Sequence, residues 1–197
     1  MKTYWPYIVV LLLCVLGVLA YVFTGNKPSA SVAPLATEAP WPAGEETLQA
    51  RLAAAGLPAL SQEGNALHIH QHLDILVHGK KIDVPPEIGV HESAPPFIAP
   101  IHTHDTTGII HVESPTVETY TLGQFFEVWG VRLTESCLGG YCADATNTLR
   151  VYVNGKPYTG DPAALALDAH QEIVMTYGTS AEEPSPIPSS YSFPEGY

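Results

Sequence analysis

Four of the nine histidines lie in one short segment of the chain, residues 67–79, which reads LHIHQHLDILVHG. Side chains two residues apart share a face of a β-strand, because successive side chains point to opposite sides. The segment is therefore predicted to be a strand with one core face and one polar face capable of chemistry. The core face would carry Ile69, Leu73, Ile75 and Val77, interrupted by Gln71, and the polar face His68, His70, His72, Asp74, Leu76 and His78.

A second histidine-rich segment, residues 100–114, reads PIHTHDTTGIIHVES. It is predicted to form a β-hairpin with a four-residue loop that ends at Gly108 in the left-handed backbone conformation. This loop sets His102 directly opposite His111, and paired residues have Cβ atoms about 4.5–5.5 Å apart. A three-residue loop would instead turn His111 to the other face. We favour the longer loop because it places three histidines and Glu113 on one surface.

Two strands that each carry alternating histidines could bring up to six imidazoles together. Neutral imidazole is a common ligand for zinc, copper and non-haem iron, whereas the absence of methionine and cysteine from these segments disfavours copper(I). Packed imidazoles that bound nothing would repel one another when protonated and leave lone pairs unsatisfied when neutral. A hydrogen-bonded histidine network and a pH-sensing site are the alternatives. We predict a copper(II) or zinc site with ligands drawn from His68, His70, His72, His102, His104 and His111.

Three acidic residues accompany these histidines, namely Asp74, Asp105 and Glu113. Carboxylates beside metal-bound histidines commonly accept the second ring N–H and so fix the tautomer, which is the role predicted for them. The other three histidines occur singly, in a turn, in a proline-rich loop and before the last predicted strand. They are predicted to be ordinary polar residues outside the site: His78, His91 and His170.

The N-terminal residues 5–23, WPYIVVLLLCVLGVLAYVF, form an uncharged apolar run. At about 1.5 Å per residue, a helix of this length spans close to the ~30 Å hydrocarbon thickness of a bilayer. Tryptophan and tyrosine near its ends suit the membrane interface. The run therefore predicts an uncleaved transmembrane helix, with a cleaved signal peptide as the alternative.

Two features predict that the domain lies outside the cytoplasm. Residues 25–44 are rich in proline, alanine and serine, which is typical of an extended spacer between a membrane and a domain. Cys137 and Cys142, in the sequence CLGGYC, are predicted to form a disulfide in an oxidising compartment. Thiolate metal ligation and two free thiols are the alternatives. The net charge of −12 argues against a nucleic-acid partner.

The order of helix and strand signals predicts an α+β fold, with a mostly antiparallel sheet, one packed helix and a β-grasp-like arrangement. A short amphipathic helix is predicted within residues 45–60, and a second helix begins at Thr121. Turns at His78 and Asn154, each followed by glycine, predict hairpins. The last strand lies within residues 169–178. The predicted organisation is a transmembrane anchor (1–24), a linker (25–44), a histidine-rich domain (45–178) and a Pro/Ser-rich tail (179–197).

The segments HIHQHLDILVHG, IHTHDTTGIIHVES, YTLGQFFEVWG and VYVNGKPY together carry a family resemblance. Over about residues 65–178 the chain resembles an uncharacterised family of membrane-anchored bacterial proteins. The resemblance implies a protein of the bacterial envelope and brings no established activity.

Three functions agree with these patterns. The favoured one is a membrane-tethered, extracytoplasmic protein that binds copper(II) or zinc for delivery, buffering or sensing. The second is a metal-dependent hydrolase or oxidase in which three histidines hold the ion and Glu113 or Asp105 acts as base. The third is a structural accessory subunit of a membrane complex, in which the metal braces the fold. No helix carries a His-Glu-x-x-His pattern, so binding is favoured over catalysis.

Overall fold

The structure is a computed structural model that describes residues 32–197. The predicted transmembrane helix lies outside these residues. Within 32–197, no helix has the length and apolar character needed to cross a bilayer.

The described chain contains two α-helices, eleven strands and two short 3₁₀-helices. The helices are α1 (Leu48–Ala55) and α2 (Leu122–Trp129), and the 3₁₀-helices are Pro162–Ala164 and Ser180–Glu182. The strands are β1 (Leu67–Val77), β2 (Lys80–Ile82), β3 (Val90–His91), β4 (Phe97–Ile98), β5 (Ile101–His102), β6 (Ile109–Ser114), β7 (Cys137–Leu138), β8 (Tyr141–Cys142), β9 (Thr148–Val153), β10 (Lys156–Tyr158) and β11 (Glu172–Gly178).

Seven strands form one sheet, in the order β10, β9, β11, β1, β6, β5, with β2 also paired to β1. All neighbours are antiparallel except β1 and β11, which run parallel. Two further pairs, β3 with β4 and β7 with β8, stand apart from this sheet. The predicted α+β class with a mostly antiparallel sheet is confirmed.

Helix α2 begins where the sequence predicts. The hydroxyl of Thr121 accepts a hydrogen bond from the Gln124 backbone N–H at 3.2 Å, and the Gln124 side-chain oxygen accepts one from the Thr121 N–H at 3.0 Å. This reciprocal capping satisfies two backbone donors that a helix start leaves free. The apolar side of α2 joins the core that the apolar faces of β1, β6 and β11 build. The histidines of β1 and β6 therefore point away from this core.

The two hairpins predicted from a turn residue followed by glycine both form, with the expected turns. His78 and Gly79, which join β1 to β2, have φ angles of 49° and 72°. Asn154 and Gly155, which join β9 to β10, have φ angles of 52° and 75°. Two successive left-handed residues match the right-handed twist of antiparallel strands, which explains the preference for glycine at the second position.

Cys137 and Cys142 lie opposite each other in the β7–β8 pair, and their sulfurs are joined by a disulfide of 2.16 Å. The pairing follows the short CLGGYC spacing. The compartment that the disulfide suggests stays a prediction.

Two segments predicted to flank the domain make contacts with it. Trp41, in the predicted linker, is buried and meets Trp129 of α2 edge to face, with ring centroids 5.7 Å apart. In the predicted tail, a Glu183 side-chain oxygen accepts a hydrogen bond from the Tyr152 hydroxyl at 2.8 Å, and its other oxygen lies 2.9 Å from a nitrogen of Arg150. The folded unit therefore includes parts of both segments.

Candidate metal centre

Three neighbouring strands align a row of histidines across the sheet. His70 of β1 pairs with His111 of β6, and His111 pairs with His102 of β5. The ring centroids are 4.6 Å apart for the first pair and 5.4 Å apart for the second. Pairing of His102 with His111 is the register that the four-residue loop predicts, and Gly108 has the expected left-handed conformation, with φ of 90°. The row lies on the face opposite the core.

His102 and His104 direct ring nitrogens toward a common point. The two Nε2 atoms are 3.1 Å apart, close to the roughly 3.3 Å that separates two nitrogens around a tetrahedral zinc ion with Zn–N bonds of about 2.05 Å. The other nitrogen of His102, Nδ1, lies 3.0 Å from the carbonyl oxygen of Ala99. An N–H donated there leaves the Nε2 lone pair free for a ligand bond, which is the usual way that metal-binding histidines are oriented.

Glu113 lies between the histidines of β6 and those of β1. Its Oε1 atom is 3.1 Å from Nδ1 of His111 and 3.4 Å from Nε2 of His68. Two groups of candidate ligand atoms, each within 4.8 Å of one another, meet at this carboxylate. The first group is His102, His104, His111 and Glu113, and the second is His68, His70 and Glu113.

His72 does not belong to either of these groups, although the sequence places it with them. Its Nδ1 lies 2.8 Å from Oε2 of Glu172, and its Nε2 lies 3.0 Å from the carbonyl oxygen of Thr107. The ring of Tyr191 stacks on it, with centroids 3.8 Å apart. Both ring nitrogens of His72 already face oxygen partners, so neither is directed at a metal in this arrangement. Asp74 lies close enough to His72 and Glu172 to form a third group of candidate ligand atoms.

The two predicted aspartates have local partners. Asp74 lies 2.8 Å from the ammonium of Lys81 on β2. Asp105 accepts a hydrogen bond from the backbone N–H of Thr107 at 2.8 Å and thereby closes the hairpin loop. Hydrogen bonds from Thr107 also hold the pKa of Asp105 below its ordinary value. Of the three predicted acidic residues, only Glu113 touches the histidines of the row.

A further carboxylate, which the sequence did not point out, lies beside the row. Oε1 of Glu63 is 3.5 Å from Nε2 of His104 and 3.9 Å from Nε2 of His102. The next residue, Gly64, has no room for a side chain, since a Cβ there would lie 2.0 Å from the backbone carbon of Ser114. This close approach of the two backbones brings Glu63 to the site. No periodic pattern in the sequence indicates this position.

Burial keeps the central histidines uncharged at neutral pH. Desolvation, followed by the neighbouring histidines, lowers the pKa of His70 to about 4 and those of His102 and His111 to about 3. Desolvation, followed by the nearby charge of Glu63, raises the pKa of Glu113. Neutral imidazoles are the form in which histidine binds a cation with least competition from protons, whereas the raised pKa of Glu113 makes protons compete more strongly for its carboxylate.

Two of the three isolated histidines pair with glutamates far from the row. Nδ1 of His78 lies 3.3 Å from Glu182, and Nδ1 of His91 lies 3.2 Å from Glu45. His170 differs, because its backbone N–H donates to the carbonyl oxygen of His70 at 2.6 Å. His170 therefore lies next to the histidine row, although the sequence pattern predicts it to be outside the site.

The last residue of the described tail covers part of the histidine row. The ring of Tyr197 lies 4.5 Å from that of His70 and 5.3 Å from that of His111, measured between centroids. Its backbone oxygen is 3.0 Å from Nε2 of His170. The tail thus contributes an aromatic wall to the site.

On the hypothesis that this row binds zinc, replacing Tyr197 with alanine is expected to increase the rate of zinc uptake several-fold, because the ring shields His70 and His111 from solvent. Stopped-flow mixing of the metal-free chain with zinc and a competing fluorescent chelator measures this rate. The matched control is Tyr158→Ala, which removes a tyrosine from the edge strand β10. Equal uptake rates for native protein and Tyr197→Ala would show that the ring does not limit access.

Comparisons of the chain with protein families, with curated proteins and with solved structures found no match.

Proposed function

We propose that the protein binds a transition metal ion, copper(II) or zinc, as a membrane-tethered protein outside the cytoplasm, and holds the ion for delivery, buffering or sensing. The observation that carries the proposal is the convergence of four candidate ligand atoms within 4.8 Å, from His102, His104, His111 and Glu113. Three imidazoles and one carboxylate are a normal ligand set for either ion.

The surroundings of the site favour binding over turnover. Four side chains are enough to fill the coordination sphere of a tetrahedral ion, whereas a catalytic ion keeps one position open. The ring of Tyr197 lies over part of the row. Four surface clefts of about 270–560 Å³ are lined by other residues. These features give less support to a hydrolase or oxidase with an open three-histidine site.

The proposed location depends on sequence features alone. It draws on the apolar run at residues 5–23 and on the family resemblance, and the disulfide agrees with an oxidising compartment. The β-grasp-like arrangement and a partner in metal trafficking or in a membrane complex are likewise proposed from the sequence alone. An accessory role would have the C-terminal tail dock on a partner protein. It is less well supported because the tail packs on its own domain through Tyr191 and Tyr197.

The test is the metal content and affinity of the full-length chain, purified in detergent without a histidine tag. We expect at least one tightly held equivalent of zinc or copper per chain, measured by inductively coupled plasma mass spectrometry. The triple variant His102→Ala, His104→Ala, His111→Ala is expected to lose it. The matched control, His91→Ala, removes a histidine that stacks on Phe97 and is expected to keep it.

Circular dichroism checks that both variants fold. A native chain that carries less than a tenth of an equivalent and takes up no metal tightly would refute the proposal. Undiminished binding by the folded triple variant would place the metal elsewhere.

A further inference from the structure

We infer that the histidine row is the basis of a dinuclear centre in which the carboxylate of Glu113 lies between two metal ions. The inference rests on the proposed function and adds the number of ions and their unequal environments. The first ion would be held by His102, His104 and His111, and the second by His68 and His70. Glu113 is shared because it belongs to both groups of converging ligand atoms.

The strand register explains how one carboxylate can serve two ions. In the pairing of β1 with β6, His68 lies opposite Glu113 and His70 lies opposite His111. Glu113 therefore has His111 on its own strand and His68 and His70 on the neighbouring strand. Its Oε1 atom is within 3.4 Å of nitrogens from both groups. A carboxylate offers two oxygens and about four lone-pair positions, and the ions of two-metal sites lie about 3.5–4 Å apart.

The number of ligands exceeds the needs of a single ion. Five imidazoles and the carboxylates of Glu113 and Glu63 surround the site. A tetrahedral ion accepts four ligands, so one ion would leave three or more of these groups without a metal. Two ions that share Glu113 would bind all five imidazoles and leave only Glu63 as an additional carboxylate beside the first ion.

The charges agree with the same division. Two divalent ions bring four positive charges into a partly buried region, which needs anionic partners. Glu113 and Glu63 lie within contact distance of the histidines, and the chain carries a net charge of −12. A nearby carboxylate pair that repels itself when empty is stabilised when cations bind to it.

The two positions differ in exposure and therefore in retention. His102 and His111 are almost completely buried, and the first ion would have four protein ligands, with the Glu63 carboxylate close by. The second position has three, and the side chain of His68 is 50% exposed. The second ion would therefore be the more exposed of the two and the one that exchanges with the surroundings.

The test is copper(II) loading of the full-length chain, followed by copper quantification and electron paramagnetic resonance. We expect two equivalents per chain and the half-field transition of two interacting copper(II) ions. A competing chelator is expected to remove one equivalent first. His68→Ala, a change at a half-exposed side chain, is expected to reduce the content to one equivalent and to abolish the half-field transition.

Glu113→Gln, which keeps the side-chain shape, is expected to abolish the half-field transition as well, whereas His91→Ala keeps both equivalents and the signal. A single equivalent in the saturated native chain would overturn the dinuclear centre and leave the proposed function standing. No bound metal would overturn both. Two equivalents without a half-field transition, or two that survive His68→Ala, would also overturn the dinuclear centre.

Discussion

Glu172→Ala is expected to lower the free energy of unfolding by about 3–5 kcal/mol, the usual cost of removing one partner from a buried pair. Glu172 and His72 are directly paired on β11 and β1, with side chains 1% and 3% exposed and a contact of 2.8 Å. Removing the carboxylate leaves a ring nitrogen without its partner in a region closed to water. Urea denaturation of the metal-free chain, followed by circular dichroism, measures the loss.

The double variant His72→Leu, Glu172→Leu separates the pairing from the packing. Replacing both members of a buried polar pair with apolar side chains costs little compared with removing one, so the double variant is expected to be more stable than Glu172→Ala. The metal content of Glu172→Ala is expected to match that of the native chain, since His72 lies outside the two ligand groups that share Glu113. A stability loss below about 1 kcal/mol, the size of an exposed contact, or a loss of metal would contradict this assignment of His72.

The parts of the site that the sequence predicts correctly depend on short-range rules. Alternation along β1 places His68 and His70 on one face, and the length of the loop before Gly108 sets His102 opposite His111. Both rules act within one strand or one hairpin, so no distant residue is needed to apply them. The cap at Thr121 is predictable for the same reason.

The assignment of His72 depends on a contact that no local pattern encodes. Up to His72, strand β1 pairs with β6, and from His72 onward it pairs with β11 on its other side. The partner that His72 meets is Glu172, 100 residues away, on the one parallel neighbour of the sheet. Alternation predicts the face of a side chain and not which strand end lies beside it.

Two other contributions come from segments without periodicity. Glu63 reaches the site through a loop whose path depends on the contact of Gly64 with β6. Tyr197 reaches it at the end of a Pro/Ser-rich segment with the composition of a flexible tail. Both positions are decided by packing in three dimensions, so composition alone could not indicate them.

Lowering the pH from 7 to 5 is expected to destabilise the metal-free protein. His70, His102 and His111 have pKa values lowered to about 4, 3 and 3 in the folded protein, against about 6.5 in an unfolded chain. Between these values the unfolded chain binds more protons, so stability is complete above about pH 6.5 and falls as the pH decreases toward the folded values. Each proton contributes about 1.4 kcal/mol per pH unit.

Two carboxylates near the histidine row modify this dependence in opposite directions. The raised pKa of Glu113 means that the folded protein binds its proton at a higher pH than the unfolded chain, which offsets part of the loss. The lowered pKa of Asp105 adds to the loss, but only near and below its ordinary value of 3.8. At pH 5 the histidines therefore dominate, and unfolding is expected to take up about two to three protons.

Urea denaturation at pH 7, 6 and 5 measures this uptake from the slope of the free energy of unfolding against pH. His102→Gln is expected to reduce the uptake by about one proton, because it removes one of the three depressed imidazoles. Glu113→Gln is expected to steepen the slope, because it removes the opposing carboxyl group. A stability that stays constant from pH 7 to pH 5 would mean that the three rings take up protons as readily in the folded protein as in the unfolded chain. The three imidazoles would then not be kept neutral by the fold, with a lone pair available to a metal ion.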